Sequence, residues 1–356
     1  ALDELFDDLM SRLGEADADG MGRGATPLPE ELADVQQRRQ RVKAALDQAR
    51  AADEARRQKG IDPEKKPAQV PTTDPDSHVM PNKEGGYAPN YTPIATTDGE
   101  RGFIVDCDVL DEVNEGGAAL PSVDRIEETF GQRPERFLTD AGNNSGQIMA
   151  GMEERDVEFY APVESNQPQA GNPACRDDPH VPVPEAERPQ LPRNPQGQLD
   201  KSCFVYVASE DQYYCPQGHG MPFEKTKQVK RGGELIPTRV YRCPACAGCP
   251  LAPDCLGPKT KHGRMITRYT YEEARERTAV RMSSEAARRL YNQRPRIAET
   301  PFGIMKLVMG IRQFLLRGLE KVKTEWLWAA TAFNVMKLAR EIGKLRAEFA
   351  ELMATT

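Results

Sequence analysis

The sequence predicts an α/β fold, and three observations carry the prediction. Between 91 and 162 strand-like and helix-like runs alternate, the pattern of a sheet with parallel strands. Between 201 and 270 short β-like pieces surround a cluster of cysteines. From Tyr271 onward the apolar spacing is helical to the end of the chain.

The chain has 356 residues, enough for about two domains or one enlarged by insertions. Its 29 prolines predict long irregular stretches. The net charge of −7 hides an asymmetry: residues 256–350 carry 20 Lys and Arg against 9 Asp and Glu. A polyanion would sit on that basic third. No apolar run is long enough to cross a bilayer, and ALDELFDDLM is unlike a secretion signal, so a cytoplasmic location is expected.

In order, Leu2, Leu5, Phe6, Leu9 and Leu13 share one side of a short helix over 2–13. A charged helix over 29–58 has apolar residues too sparse for a deep core, so residues 1–60 read as a helical hairpin or arm. Residues 61–90 are a Pro- and Gly-rich linker. Strands at 91–98 and 102–110 flank Gly99 as a hairpin. A helix at 119–130, a strand at 136–140, a helix at 147–154 and a strand at 157–162 follow, so 91–162 forms the first part of a core. Asp140 closes a strand, where open α/β sheets place ligands, but it could equally cap the turn formed by Gly142-Asn143-Asn144. Residues 163–270 read as a loop and then a small β-rich insertion, too small for a core of its own. Residues 271–356 supply helices over 271–291, 301–317 and 320–351. On the last of these, Trp326, Leu327, Ala330, Phe333, Asn334, Met336, Leu338 and Ile342 are expected to pack on the sheet.

The run YRCPACAGCPLAPDC spaces Cys243, Cys246, Cys249 and Cys255 as metal ligands are spaced, with Cys215 and His219 upstream as alternatives. A structural Zn²⁺ is the ordinary occupant of such thiolates, and an iron–sulfur cluster takes the same set. Reduced cysteines packed without metal would give the same pattern.

The stretch 291–318 joins Arg294 and Arg296, the acid Glu299 and an apolar helix carrying Lys306 and Arg312. Phe302, Ile304, Met305, Val308, Met309, Ile311, Phe314 and Leu315 give that helix one apolar face. Thr300-Pro301 is a natural helix start, with Glu299 at the end where the helix dipole favours negative charge.

TDPDSHVM, LTDAGNNSGQIMAGMEERDVEFYAPV, the cysteine cluster, YNQRPRIAETPFGIMK and FLLRGLEKVKTEWLWAATAFNVMKL together resemble a DDE transposase of bacterial insertion sequences. The resemblance spans nearly the whole chain and is closest to the branch with a Cys-containing β-rich insertion. It implies a ribonuclease H-like mixed sheet flanked by helices. Asp140 matches the second catalytic acid and Glu299 the third, 159 residues apart. Tyr291, Arg294 and Lys306 match a Tyr-Arg-Glu-Lys signature. Pro295 stands at the usual arginine position, so Arg294 or Arg296 takes that role. The family's first acid, on an Asp-Gly-Thr strand, has no match, which reads as an N-terminal truncation. Asp74 and Asp76 match a recurrent family motif near the site, with neither assigned as that acid, and an Asx-turn in a Pro-rich loop is the other reading of them.

The resemblance implies Mg²⁺- or Mn²⁺-dependent cleavage and strand transfer of double-stranded DNA by a homodimer in the bacterial nucleoid. Asp140 and Glu299 would ligate two ions about 3.5–4 Å apart. Tyr291, Arg294, Arg296, Lys306, Arg312 and Arg317 would contact DNA. The alternative is an inactive remnant that binds DNA or a partner through its basic helices.

Overall fold

The computed structural model describes Ser11 and residues 35–58, 60–81, 85–111, 115–163, 166–231, 234–258, 260 and 262–355. The helix expected over 2–13 lies outside the described residues, apart from Ser11, as does the start of the 29–58 helix. In chain order the elements begin with α1 (Val35–Gln58), β1 (His78–Pro81), β2 (Tyr87–Asn90), β3 (Thr92–Thr97), β4 (Ile104–Leu110) and α2 (Ala119–Phe130). Next come β5 (Arg136–Leu138), α3 (Gly146–Glu154), β6 (Glu158–Tyr160), β7 (Val205–Val207), β8 (Gln212–Tyr214), β9 (Gly220–Arg231) and β10 (Glu234–Arg242). The last are α4 (Ala252–Cys255), β11 (Met265–Tyr269), α5 (Glu272–Ser283), α6 (Glu285–Tyr291), α7 (Thr300–Leu307) and α8 (Leu319–Thr355). The fold is mixed α/β. Two compact units divide the chain, Ala1–Ala118 with Pro295–Thr356, and Ala119–Arg294.

The first unit is built on the antiparallel hairpin β3–β4, which runs in register from Thr92↔Leu110 to Thr97↔Ile104. Asp98 shapes its turn by accepting from the backbone N–H of Arg101 (2.6 Å) and Gly102 (3.2 Å). The left-handed residue there is Gly102, at φ +72°, rather than Gly99. Helix α8 lays Val322, Trp326, Ala330 and Phe333 into one core with Ile104, Val109 and Met305. Trp326 stacks on Phe302 (5.6 Å), meets Phe314 edge-on (6.2 Å) and donates Nε1–H to the Ile94 carbonyl (2.7 Å). Asn334 grips Ile104 twice, accepting from its N–H (2.9 Å) and donating to its carbonyl (2.8 Å).

The start of α8 is held from the Pro-rich loop. Asp74 accepts from the N–H of Gly318 (3.0 Å) and the hydroxyl of Tyr91 (2.8 Å), and Asp76 from the N–H of Leu319 (3.0 Å). These donors are the ones a helix N-terminus leaves unpaired, and two carboxylates also suit its dipole. Burial, with the Asp74 carboxylate second, drives the Tyr91 hydroxyl well above its usual range. Asp76 also accepts from Gln48 of α1 (3.0 Å), and α1 buries Val42 and Ala45. The middle of α1 is therefore seated on the unit, where sparse apolar spacing predicted an arm.

Two helical expectations need correction here. The helix expected over 301–317 stops at Leu307, and Gly310 turns with φ +75°. The chain then crosses the first turns of α8, where the Glu325 carboxylate accepts from the N–H of Leu315 (2.9 Å) and Leu316 (2.9 Å). Val308 and Leu315, expected on the apolar face, are exposed. On α8, Trp326, Ala330 and Phe333 are buried as expected, but Leu327, Leu338 and Ile342 face outward.

In the second unit β5 and β6 pair in parallel across α3, in register at Phe137↔Phe159. Val123, Met149, Met152 and Phe159 are fully buried between them and α2. Gly151 of α3 permits this packing, since a Cβ there would lie 2.6 Å from Leu120. The segment 205–269 forms a five-stranded antiparallel sheet in the order β11-β10-β9-β8-β7. It has a core of its own around Tyr213, Tyr241, Phe204, Leu199 and Met221, against the expectation that it was too small for one. Aromatic stacking makes up for its size: Tyr213 and Tyr241 meet edge-on at 5.1 Å.

Asp74 is nearly buried and accepts two bonds, so Asp74→Ala should cost about 2–3 kcal/mol of unfolding free energy. Asp76→Ala should cost about 1 kcal/mol, the usual price of a lost cap. Urea titration of each variant measures both; equal and negligible losses would contradict the capping role.

Candidate functional site

Asp140 sits two residues beyond β5, and each residue after it fixes its position. Its Oδ1 accepts from the N–H of Gly142 (3.0 Å) and so caps the short 3₁₀ turn Ala141–Asn143. Asn144 donates to the Pro162 carbonyl beyond β6 (2.8 Å), and the Ser145 hydroxyl caps α3 at the Ile148 N–H (3.3 Å). The turn-forming role weighed for Asp140 is thus real, and it leaves Oδ2 available for other partners.

The Oδ2 atom faces Arg294, 3.5 Å from its guanidinium. Arg294 follows α6, whose last residue is Tyr291. Burial raises the Tyr291 hydroxyl above its usual range, while Arg294 pulls it down and Asp140 pushes it up by smaller amounts. Asp140, Tyr291 and Arg294 therefore form one constellation within the second unit, drawn from segments 151 residues and more apart in sequence. Of the two arginines expected there, Arg294 belongs to the same unit as Asp140 and pairs with it.

Glu299 belongs to the first unit. It ends a π-helical turn, Pro295–Glu299, directly ahead of α7, with Pro301 in the first turn as expected. Glu299 and Lys306 are both exposed, as are Arg296, Arg312 and Arg317. Arg312 and Arg317 lie in the loop 308–318 rather than on a helix.

Beside Thr300 opens a cleft of about 230 Å³ lined by Arg101, Arg296, Lys337, Arg340 and Lys344. Its acids are largely engaged: Asp98 holds the hairpin turn, and Glu341 pairs with Lys344 at 2.9 Å. Lys344, with Lys337 and Arg101 adding to it, keeps the Glu341 carboxyl below its usual range. Of these cations sequence reasoning named only Arg296, because Arg101 and Lys337 belong to different segments that converge only in the fold.

The cysteines gather as their spacing predicted. Cys215, Cys243, Cys246, Cys249 and Cys255 line one small cavity together with His219 and Arg264. Two tight turns face each other there: Cys215 accepts from the Gly218 N–H (2.8 Å), and Cys246 Sγ accepts from the Arg264 N–H (3.3 Å). The Cys243 thiol, hydrogen-bonded to Cys215, lowers the Cys215 thiol to about 6, while burial lifts Cys255 to about 12. All eight cysteines are free thiols. Among the described residues no three His, Cys, Asp or Glu side chains are arranged to hold a metal ion. The cysteine side chains have zinc's preferred donor atoms without its closed geometry, so neither zinc nor an iron–sulfur cluster finds support here.

Residues 214–339 match the family model of the transposase DDE domain. Over these residues the chain is similar to that family. The match runs from the end of β8 through the cysteine turns, Tyr291, Arg294, Glu299 and Lys306 into α8, and Asp140 lies upstream of it. No curated protein and no solved structure shows a significant match to the chain. Transposases act on DNA, and those of the DDE type depend on divalent metal. Among the described residues no helix is long and apolar enough to cross a membrane.

Proposed function

We propose that this chain is a DNA transposase that cleaves DNA strands and joins them, with Asp140 and Glu299 as metal-ligating acids. The observation that carries the reading is the constellation of Asp140 with Arg294 and Tyr291, two residues that match the signature implied by the resemblance. In this reading the fold is ribonuclease H-like, and two copies act together on the bacterial nucleoid.

Carboxylate oxygens are the hard donors that Mg²⁺ or Mn²⁺ prefers, and the exposed Glu299 and half-exposed Asp140 suit ions that keep part of their water. Bound there, such ions would activate water or a 3′-hydroxyl and stabilise the leaving oxygen. The chain's own residues do the rest. Arg294 orients the free oxygen of Asp140. Arg101, Arg296, Lys337 and Arg340 neutralise backbone phosphates along the cleft and set register without reading bases, and Lys306, Arg312 and Arg317 extend that contact.

Asp140→Asn or Glu299→Gln should lower metal-dependent nicking of a supercoiled plasmid by roughly 100-fold or more while sparing DNA retention. Unchanged nicking by either variant would remove that residue from the site. A wild-type chain that retains DNA but never nicks it would favour the inactive remnant. Arg296→Ala and Arg340→Ala should each reduce the slope of log affinity against log salt by about 1, because each removes one phosphate contact. Filter binding across a salt series reads this directly, and an unaltered slope would exclude the cleft from the DNA path.

A further inference from the structure

Helix α8 has two apolar faces, and the fold uses one of them. Val322, Trp326, Ala329, Ala330 and Phe333 are buried against the hairpin and α7. Nearly opposite, at about 100° per residue, a second stripe is open to solvent. Trp328 is 72% exposed, Val335 61%, Leu338 50%, Ile342 42% and Leu345 65%, with Thr331 exposed among them. A contiguous apolar stripe of this size marks an interaction surface rather than the ordinary scatter of surface leucines.

The residue types of the stripe and the charges beside it name its occupant. Residues 328, 331, 335, 338, 342 and 345 step by three and four, as an apolar helix face does, and fit the 3.5-residue repeat of a coiled-coil seam. Its first-type positions hold Trp328 and then the β-branched Val335 and Ile342, and the alternate positions hold Thr331 and then Leu338 and Leu345. That division favours two parallel strands over higher assemblies. The flanks agree. In a parallel, in-register pair each Glu341 faces Arg346 of the other helix, giving two symmetric ion pairs, whereas antiparallel packing sets like flanks together. Glu341 now holds Lys344 on its own helix, an exposed contact that an interhelical pair can replace at little cost. Ala332 and Ala339 on the other flank keep the seam narrow. The Thr331 hydroxyl already donates to the Leu327 carbonyl (2.8 Å), so burying it leaves no unpaired donor.

We propose that the outer face of α8 is the contact between two copies of this chain, a parallel two-helix coiled coil spanning about 27 Å over residues 328–345. This names the surface for the homodimer of the transposase reading, yet it rests on the helix and not on the chemistry. Asp140→Asn should leave association intact, so failure of one reading does not carry the other with it.

Sedimentation velocity on the full chain at micromolar concentrations should give a dimer. Leu338→Glu and Ile342→Glu should each weaken it by about 100-fold, since each would bury an unpaired charge. Helix content should not change, because both side chains are exposed within one copy, while the melting temperature should fall only to that of the dissociated wild-type chain. Glu341→Arg and Arg346→Glu should each weaken the dimer, and the double exchange should restore it. Ile342→Cys should cross-link to itself on mild oxidation, seen as a 342–342 peptide by mass spectrometry. A chain monomeric at tens of micromolar, or a dimer indifferent to both glutamate variants, would overturn the proposal. So would an alkylation-protected Cys at 342 in a monomer, which would mean that another segment of the same chain covers the stripe. A failed charge exchange, or a dimer without the 342–342 link, would overturn the parallel register.

Discussion

The first unit depends on how the N-terminus of α8 is held. Gly318 and Asp74 are 244 residues apart, yet the carboxylate of one takes the backbone N–H of the other, and Asp76 does the same for Leu319. A 37-residue helix fixed at its first turn can carry its side chains over the hairpin with little freedom to slide. Trp326 is the second restraint: its indole N–H is tied to Ile94, and its ring faces are covered by Phe302 and Phe314. Phe302 lies on α7, three residues after Glu299, so the packing that seats the tryptophan also orients the end of the helix on which that acid sits. Position of the acid is therefore a property of the whole unit and not of its own segment.

What the sequence made legible follows from the range of the forces involved. The hairpin β3–β4, helix α2 and the β5–α3–β6 unit are set by local apolar period and by turn residues, and they lie within a few residues of their expected places. The cysteine turns were equally local and did converge, but spacing could not say whether their side chains close on an ion. The break of the 301–317 helix was hidden because its apolar residues continue at helical spacing through Gly310, and Glu325 captures the freed backbone from another helix. The acids of TDPDSH were hidden for a similar reason: their partners are backbone groups at the far end of the chain.

At Asp140 the structural role and the proposed metal-ligating role need not compete. One oxygen caps a turn and so removes the freedom of the carboxylate to rotate; the other faces a guanidinium that balances its charge. A carboxylate held this way is already oriented, and under the proposed reading its Oδ2 would hold a divalent cation in place of a 3.5 Å ion pair that is partly open to solvent. Arg294 would then be the nearby cation for a phosphate. Both roles ask for a short acid at a strand end followed by small and amide residues, so the sequence leaves cap and ligand evenly balanced at Asp140.

Helix α8 carries the corresponding lesson for association. Its apolar residues were read as one packing face because sequence spacing records that a position is apolar, not which neighbour covers it. On the fold they separate into two stripes of the same three-and-four spacing, Val322, Trp326, Ala329 and Phe333 buried against the hairpin, and Val335, Leu338, Ile342 and Leu345 open. Spacing alone does not tell the two apart, because any apolar helix face repeats this way. What sets the outer stripe apart is the alternation of β-branched Val335 and Ile342 with Leu338 and Leu345, and the opposite charges of Glu341 and Arg346 beside it. An identical parallel helix meets both features, whereas the buried stripe meets the hairpin with Trp326, Ala329 and Phe333.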